Sequence, residues 1–352
     1  MEAATGAFVL SQRVSSRREA PVLVQRLDTD TVTALVKDAT AAPSMHNAQP
    51  WRFRFLRDGR TFHLRADPGR AMPHSDPAGR ALHLGCGAAL FNLRVAAARA
   101  GWEAAAEVLP DPADPDLLAT VRLSDTAGPG PGSGLVPLYP AIHRRHTSRH
   151  PFADREIPPA IQDVLRDAAR QEGAQLVFPG AWHVESLLEL VHDAEGRDTV
   201  DPGRSEELER WTRIGADVDD AATDGIPEYA FGPRKRDGRA PARDFAGRRP
   251  VPGRGTATFE HTPHLVLLGT SGDRPADWLK AGQALERVLL LATVNGLSTS
   301  LTSHALEWPD LRRFVRDPQT AMGSVHMVLR LGYGPEAPAT PRRPVGDVLD
   351  FE

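Results

Sequence analysis

The chain is poor in several features that would point to particular classes of protein. Its 352 residues include one cysteine, Cys86, and its net charge is −4. A single cysteine cannot form an intramolecular disulfide, so nothing indicates an oxidising compartment, and we expect Cys86 to be a small buried hydrophobe. The small net charge gives no electrostatic reason to expect a nucleic-acid partner. The sequence also suggests no metal site.

Long hydrophobic runs are also missing. No window reaches the ~20 apolar residues of a membrane span, so no membrane partner is expected. Residues 1–10 lack the basic segment and apolar core that mark a signal peptide. We therefore expect a cytoplasmic protein. The hydrophobic share of 41% is large enough for well-packed cores.

Turn and linker signals divide the chain into two halves. The run Gly128–Gly134 alternates glycine with proline and serine and breaks all periodicity, which is typical of a linker. We therefore predict domains at 1–134 and 135–352. Residues 1–26 are polar and mixed, and we interpret them as an arm or a first short helix.

Hydrophobic periodicity predicts helices and strands in both halves. The predicted helices lie at about 28–40, 80–99, 158–171, 181–220 and 275–295. The predicted strands lie at 53–56, 61–65, 102–109, 119–123, 174–178, 264–269 and 325–331. Residues 223–256 are rich in Gly, Pro and Arg without clear periodicity. The insertion at about 196–256 is therefore predicted to be a lid, a binding loop or a disordered segment.

The two halves are similar to each other in sequence. When Gly101 is aligned with Gly296, Gly87 falls on Gly282 and Ala97 falls on Ala292. The order of the predicted elements agrees as well, which favours a true internal repeat. Shared helical composition is the alternative explanation.

The run Pro43–Trp51 reads as a loop between a helix and a strand, with two prolines, a hydroxyl and two carboxamides. Amide groups offer both donors and acceptors, which suits the edge of a flat heterocycle. A capped turn is the alternative interpretation. The string resembles the Ser-x-x-Asn-x-Gln-Pro-Trp flavin motif of the nitroreductase family.

A second motif, Arg145–Arg149, reads Arg-His-Thr-Ser-Arg. Arginine makes bidentate, charge-assisted hydrogen bonds to phosphate, and a threonine hydroxyl can add a neutral one. A solvated basic turn is the alternative interpretation. The motif resembles the phosphate signature of the same family, and the pair Arg342 and Arg343 resembles the family's second basic clamp on that phosphate.

Further runs make the two-domain, Acg-like branch of the nitroreductase family the best overall match. They are Asp224–Pro227, Phe231–Pro233, Ala281–Arg287 and Arg330–Gly334. The resemblance implies an α+β fold (the three-layer α/β arrangement of nitroreductases), duplicated internally so that the two halves form a pseudo-dimer within one chain. The first half contains the loop Pro43–Trp51, which we call the ring-edge loop, and lacks a counterpart of the phosphate motif. The second half contains the phosphate motif and lacks a counterpart of the loop, so one FMN per chain is expected.

The resemblance also assigns residues to the cofactor. Gln49 would support Asn47 and the loop, and Ser303 and His304 would lie near flavin N5, although this chain lacks the family's common Glu-Gly pair there. The expected FMN-binding residues are Pro43, Ser44, Met45, Asn47, Gln49, Arg145, His146, Thr147, Arg149, Ser303, His304, Arg342 and Arg343.

The implied activity is ping-pong transfer of electrons or hydride from NAD(P)H through FMN to a small organic acceptor, such as a nitroaromatic or a quinone. No side chain is expected to act as a catalytic residue of its own, because the cofactor carries the chemistry. A flavin-binding protein without turnover, closed by its lid, is one alternative, and an O2-dependent flavin oxidase or dehydrogenase is another. The chain is expected to be a monomeric pseudo-dimer or a homodimer of it.

Overall fold

The computed structural model describes residues 27–125, 134–215, 222–247 and 249–352. The arm predicted at 1–26 and all of the predicted linker except Gly134 lie outside the described residues. The first half contains, in order, α1 (Thr29–Ala39), β1 (Trp51–Leu56), β2 (Thr61–Ala66), α2 (Arg80–Arg99), β3 (Trp102–Val108) and β4 (Leu117–Asp125).

The second half holds more elements, several of them very short. They are α3 (Pro159–Gln171), β5 (Gln175–Val177), α4 (Ala181–Asp198), α5 (Pro202–Arg210), β6 (Thr212–Arg213), β7 (Ile226–Pro227), β8 (Arg234–Asp237), β9 (Thr256–Thr258), β10 (His264–Thr270), α6 (Pro275–Val294), β11 (Ser298–Thr302), α7 (Pro309–Arg312), β12 (Ser324–Gly332) and β13 (Leu349–Phe351).

The two main sheets have the same internal strand order. The first runs β1-β2-β4-β3 and the second β5-β10-β12-β11, so each begins with the strand that follows its half's first helix. All neighbours within these two sets are antiparallel. The last strand, β13, leaves the second half and lies parallel to β1 at the edge of the first sheet. The tail therefore crosses from one half to the other.

The helices form a layer between the sheets. Apolar faces of α1 and α2 cover the first sheet, and those of α3 and α6 cover one face of the second. The other face of the second sheet is covered by α4 and α7. Asp28 caps the N-terminus of α1, because its side chain accepts a hydrogen bond from the Thr31 amide. One apolar cluster therefore lies on each side of the helix layer between the sheets, and a third lies on the outer face of the second sheet.

Helix α2 is a core helix, although it is long and apolar enough to pass a length-and-composition test for a membrane span. It is the one such helix among the described residues, and most of it is buried inside the protein. The criterion of ~20 apolar residues does not select α2 from the sequence. Cys86, on this helix, is fully buried and its thiol donates to the Pro50 carbonyl, while burial raises the pKa of the thiol.

Helices α2 and α6 contact each other at a pair of glycines. A Cβ atom added to Gly87 would lie 2.3 Å from the Leu279 carbonyl oxygen, and one added to Gly282 would lie 2.2 Å from the Leu84 carbonyl oxygen. Both distances are far inside van der Waals contact, so only glycine permits this backbone approach. The two glycines are the pair that the sequence alignment of the halves placed at equivalent positions.

The insertion at 196–256 differs from the sequence expectation in part. The helix predicted at 181–220 is wrong as a single element, because α4 ends at Asp198 and α5 occupies only Pro202–Arg210. Beyond α5 the described chain forms two small parallel pairs, β6 with β7 and β8 with β9. A separate apolar cluster that includes Phe231 and Phe245 packs beneath them. We refer to residues 226–256 as the lid segment.

The glycine contact gives a stability prediction. We expect Gly87→Ala, and separately Gly282→Ala, to lower the free energy of unfolding by about 2–3 kcal/mol, since each methyl group would overpack the α2–α6 contact. The exposed Gly196 of α4 is a matched control, because nothing lies within 4 Å of an added Cβ there. Gly196→Ala should be neutral or stabilise by up to about 1 kcal/mol. Denaturant unfolding measures all three variants, and wild-type midpoints for both interface variants would contradict the close contact.

Candidate functional site

The loop between α1 and β1 has a strained backbone. Met45–Asn47 form one short helical turn, and His46, Asn47 and Gln49 have φ angles of 49°, 57° and 54°. These values fall in the left-handed region, where a non-glycine residue costs about 1–3 kcal/mol. Three such residues within four positions persist only if their surroundings hold them in place.

Two amide side chains of this loop supply that support. Asn47 Nδ2 donates to the carbonyl oxygens of Gly225 and Pro341, each at 3.0 Å. Gln49 Nε2 donates to the Thr223 carbonyl at 2.8 Å and to the Asn47 carbonyl at 3.3 Å. The loop is thereby fastened to the insertion on one side and to the C-terminal tail on the other, and Gln49 contacts the Asn47 backbone.

The loop lines a cavity between the two halves, which we call the first cavity. Its walls come from the loop, the start of α2, the segment 145–149, strand β11, the lid segment and the tail. Of the residues predicted to bind a cofactor, ten line it: Pro43, Ser44, Met45, Asn47, Arg145, His146, Thr147, Arg149, Ser303 and Arg342.

Three of the predicted residues lie outside the first cavity. Gln49 is fully buried behind the loop. Arg343 Nη1 lies 3.3 Å from Asp67 Oδ2, and its amide donates to Gln49 Oε1 at 2.8 Å. The side chains of Arg342 and Arg343 therefore have different surroundings, because successive side chains of an extended chain point in opposite directions. His304 lines a different cavity, described below.

The first cavity is strongly cationic. Four arginines line it, and among the described residues that form its walls there is no carboxylate. Burial lowers the pKa of Arg149 to about 10, and burial together with nearby Arg145 lowers the pKa of Arg342 to about 9. No described carboxylate forms an ion pair with Arg149 or Arg342. An anion entering this cavity would offset that positive charge.

Arg145 is held at the cavity wall by contacts on its far side. It is buried, its Nη2 donates to the Ala41 carbonyl at 3.0 Å, and its Nε lies 3.6 Å from Glu286 Oε1. No described atom accepts a hydrogen bond from this Nε. Burial raises the pKa of the Glu286 carboxyl, although Arg145 and Arg342 oppose that effect. Arg145 thus has a charged neighbour and an unused donor.

Arg342 lies against the C-terminal end of α1. Its guanidinium donates to the carbonyl oxygens of Thr40 and Ala41, at 2.8 and 3.0 Å, and to Asn47 Oδ1 at 2.9 Å. Helix C-termini leave carbonyls unpaired and carry partial negative charge, which favours a cation there. Most donors of Arg342 are therefore engaged by the loop, so it contributes charge to the cavity more than free hydrogen bonds.

The segment 145–149 is positioned by β11. The Ser148 amide donates to the Thr299 carbonyl at 2.8 Å, and Thr147 forms an isolated bridge with Thr299. Arg149 Nη1 donates to the Ala230 carbonyl at 3.0 Å, and its guanidinium lies 4.9 Å from the centre of the Phe245 ring. Arg149 therefore links the second half's basic motif to the lid segment.

Sequence reasoning missed the residues that the lid segment contributes. Pro241, Ala242, Arg243 and Phe245 all line the first cavity. Their run has no periodicity that would predict its position, although its Arg and Phe content is the signal that could have drawn attention. His46 was also missed: it is buried in the ring-edge loop and faces Phe245 edge-on at 5.6 Å.

A second cavity lies on the other side of the lid segment. His46, Ala242, Arg243 and Phe245 line both cavities and so form the wall between them. The first cavity encloses about 120 Å³ and the second about 780 Å³. The second is lined by the ends of α4 and α5, by the lid segment and by His304. No group of three or more His, Cys, Asp or Glu residues in the described parts of the chain could hold a metal ion.

The first cavity is therefore cationic, lies between the two halves and is edged by a strained polar loop. No family model matches the chain. The chain is 32% identical over 332 residues to "Putative NAD(P)H nitroreductase acg" of Mycobacterium tuberculosis H37Rv, an alignment that covers 91% of this chain and 96% of that protein. The chain therefore belongs to the nitroreductase family, in its Acg-like branch, and has the α+β fold of that family.

Solved nitroreductases resemble the chain more distantly. The FMN-bound nitroreductase of Bacteroides fragilis covers 58% of this chain and 92% of its own, with 13% identity and a TM-score of 0.35. The FMN- and NADPH-dependent nitroreductase NfnB of a Sphigopyxis strain covers 61% of this chain and 98% of its own, with 18% identity and a TM-score of 0.35.

The cationic cavity predicts an unusual titration of His146. Burial, with Arg145 and Arg342 nearby, lowers the pKa of His146 to about 4. The unfolded state therefore takes up this proton first, and the contribution of His146 to stability falls as pH drops from about 6.5 towards 4. We expect NMR titration of the ligand-free protein to show a neutral His146 imidazole at pH 6, and millimolar phosphate to raise its pKa.

The variant His146→Gln serves as the control for this titration. It should remove the assigned imidazole signal and flatten the loss of stability on the acid side. An ordinary His146 pKa near 6.5 in the ligand-free protein would contradict the cationic, desolvated character of the cavity.

Proposed function

We propose that the first cavity binds one FMN per chain and that the protein is an FMN-dependent oxidoreductase. It would take electrons from NAD(P)H and pass them to a small organic acceptor such as a nitroaromatic or a quinone. The observation that carries the proposal is the buried cavity with four arginines and no carboxylate among its described lining residues. A phosphate dianion on a flat ring system suits that charge and the polar loop at its edge.

The donors present in the cavity fit a phosphate. Arg145 lines the cavity with its Nε turned towards Glu286, and Arg149 forms no ion pair with a described carboxylate. Charge-assisted hydrogen bonds from such groups to an anion contribute about 1.5–3 kcal/mol each. His146 and Thr147 lie on the same wall. Glu286 stands behind Arg145 and not between it and the cavity, so it orients the cation without blocking an anion.

The loop residues fit the edge of the ring in a different way from the sequence expectation. The amide of Asn47 is already engaged by Gly225, Pro341 and Arg342. Asn47 would therefore fix the loop, and other groups would meet the ring. Ser44 Oγ accepts from the Gln49 amide at 2.9 Å, so its hydroxyl hydrogen is left to donate. When bound, FMN supplies the redox chemistry of its isoalloxazine ring.

The rest of the site would orient the reactants and exclude water. Leu84 and Leu285 from the central helices and Met327 from β12 supply apolar walls. Nothing in the sequence resembles a Gly-x-Gly-x-x-Gly dinucleotide loop, so NAD(P)H would bind only transiently, over the ring. The proposal gives no proton-transfer role to a titratable side chain in the first cavity.

We also propose that the chain is an internal duplication and acts as a pseudo-dimer with one cofactor site. The shared sheet order and the paired glycines Gly87 and Gly282 support this. The single site is supported by asymmetry between the halves. Between α3 and β5 only residues 172–174 intervene, with Gly173 at φ 77°, whereas eleven positions separate α1 from β1. The second half thus has no room for a loop equivalent to Pro43–Pro50.

The phosphate assignment predicts the effect of Arg149→Met. We expect FMN affinity to fall about ten- to a hundredfold, because one charge-assisted interaction is lost. Equilibrium dialysis with absorbance of the bound flavin measures both affinity and stoichiometry, and wild type should bind close to one FMN per chain. Arg166→Met is the matched control, since Arg166 lies on α3 and pairs with Asp163.

Thermal unfolding of each variant without FMN separates lost binding from lost folding. Wild-type FMN affinity in a folded Arg149→Met protein would overturn the phosphate assignment. Anaerobic bleaching of the bound flavin by NADPH or NADH then tests the reductase proposal separately. A flavin that stays oxidised with both nucleotides would contradict the reductase proposal but not the proposed FMN site.

A second candidate function is flavin binding without turnover, and the narrow first cavity favours it. Its volume of about 120 Å³ is below the roughly 300–1,000 Å³ usual for ligand pockets. We infer that Pro241, Ala242 and Phe245 of the lid segment move outward when FMN enters. A lid that closes again over the flavin could exclude NAD(P)H, or could close over the substrate during turnover.

Replacement of the lid tests its role. Arg234 and Thr256 are direct partners in the β8–β9 pair, so residues 235–255 can be exchanged for a short Gly-Ser linker without moving the ends apart. We expect FMN to associate at least tenfold faster with this variant in stopped-flow fluorescence quenching. An unchanged association rate would show that the lid segment does not control entry.

The same variant separates the two functions. If the lid sequesters the flavin, NADPH bleaches the flavin in the variant but not in wild type, whereas a reductase is bleached in both. Dithionite should reduce the flavin in both proteins and serves as the control.

A further inference from the structure

The second cavity contains a buried histidine without hydrogen-bond partners. His304 is 3% exposed, and neither ring nitrogen has a partner among the described residues. Leaving a buried polar group unsatisfied costs about 1–3 kcal/mol, so such groups normally meet a ligand or ordered water. His304 lines the second cavity, where about 780 Å³ is available for one.

The imidazole of His304 is neutral in this setting. Burial lowers its pKa well below the usual value, and Arg243 acts in the same direction. A neutral imidazole offers one donor and one acceptor. Glu195 Oε1 lies 3.8 Å from His304 Nε2, too far for a hydrogen bond. The ring can therefore receive a ligand that carries both kinds of polar group.

The charges around the second cavity fall into paired and unpaired groups. Arg234 and Arg254 pair with Asp244, and the carboxylates Glu195 and Glu209 form no ion pair with an arginine or lysine among the described residues.

Arg204 and Arg243 both contact Glu307 and Asp198, and this four-residue network neutralises itself. Lys235 is outside the network: its Nζ donates to the Ala240 carbonyl at 3.3 Å and forms no ion pair with a described carboxylate. Its charge opposes the rise that burial causes in the pKa of the Glu195 carboxyl.

Arg249 is a second unpaired cation on this cavity. Its Nη2 donates to the Phe245 carbonyl at 3.2 Å, and no described carboxylate forms an ion pair with it. Lys235 and Arg249 are thus the cations left to receive an anionic group on a ligand, and the exposed position of Lys235 puts that group towards solvent.

Aromatic side chains supply the remaining wall. Phe231 and Phe245 stack with their ring centres 6.0 Å apart, and both line the second cavity. Such rings favour a planar partner, which can stack on them or meet their edges. Phe245 also belongs to the wall shared with the first cavity, so a ligand here would lie beside the proposed flavin site.

We propose that the second cavity binds a small planar aromatic acid, with polar groups hydrogen-bonded by His304 and a carboxylate drawn to Lys235 and Arg249. The binding itself does not depend on the flavin proposal. If that proposal also holds, aromatic acids are the class of acceptor that this protein selects, because the bound ring lies next to the cofactor cavity.

The test compares two probes that differ in charge. Isothermal titration of the oxidised full-length protein with 4-nitrobenzoate and with nitrobenzene measures the preference for a carboxylate. We expect 4-nitrobenzoate to bind at least tenfold tighter. The double variant Lys235→Met, Arg249→Met should abolish that preference while nitrobenzene affinity stays unchanged. His304→Asn should weaken the binding of both probes about tenfold.

Two controls identify the cavity that binds. His146→Gln changes a side chain that lines the first cavity and not the second, so the 4-nitrobenzoate affinity should survive it. Loss of binding in that variant would assign the probe to the first cavity and overturn the proposal. Equal affinity for the two probes in wild type, or no binding of 4-nitrobenzoate, would overturn it as well and leave ordered water as the partner of His304. Melting temperatures show whether each variant folds. If His304→Asn does not fold, the double variant still tests the preference for a carboxylate.

Flavin content and NADPH bleaching of the same samples are measured separately. If the protein binds 4-nitrobenzoate but its flavin is never reduced, the proposal for the second cavity stands and the reductase proposal fails. If NADPH reduces the flavin but 4-nitrobenzoate does not bind, the proposal for the second cavity fails and the reductase proposal stands.

Discussion

The contact between the ring-edge loop and the C-terminal tail is the constraint on which the first cavity depends. Asn47 Oδ1 accepts from Arg342, and Gln49 Oε1 accepts from the Arg343 amide, across almost 300 positions of the chain. Three left-handed residues would relax if those partners were withdrawn. Strand β13 fixes the tail by pairing with β1, so the loop of the first half is held by the end of the second.

The site's electrostatics follow from where the carboxylates stand. Each arginine that has an acidic neighbour meets it away from the first cavity: Arg145 faces Glu286 within the helix layer, and Arg243 faces Glu307 towards the second cavity. These carboxylates orient Arg145 and neutralise Arg243, so Arg149 and Arg342 supply the positive charge of the first cavity that no ion pair offsets. Desolvation lowers the pKa of Arg149 and Arg342, and bound anion would oppose that effect.

Regular elements could be predicted from the sequence because their periodicity is local. Helix α2 occupies the predicted span 80–99, and β1 and β2 lie within two residues of the strands predicted at 53–56 and 61–65. The two motifs also meet in one cavity, as the resemblance implies. Strand β11 was missed because its polar sequence, Ser298–Thr302, is buried by tertiary packing and not by an alternating pattern.

Individual side-chain roles were harder to predict because they depend on distant partners. The sequence pairs Arg342 with Arg343, yet only the fold shows that one faces the cavity and the other Asp67. Likewise, Ser303 and His304 are neighbours in sequence but line different cavities. The lid segment has no repeating pattern, so its contribution of Arg243 and Phe245 could be found only in three dimensions.

The shared wall makes the two cavities physically dependent on each other. Arg243 and Phe245 belong to both linings, and Glu307 accepts hydrogen bonds from Arg243 and from Ser303, which faces the first cavity. An outward movement of the lid segment would separate Arg243 from Glu307 and leave that buried carboxylate to Arg204, with Asp198 beside it. Breaking a buried ion pair is unfavourable, so the closed arrangement is favoured unless a ligand compensates. Charge that enters either cavity therefore acts on the same wall, and the proposed movement of residues 226–256 would change both linings together.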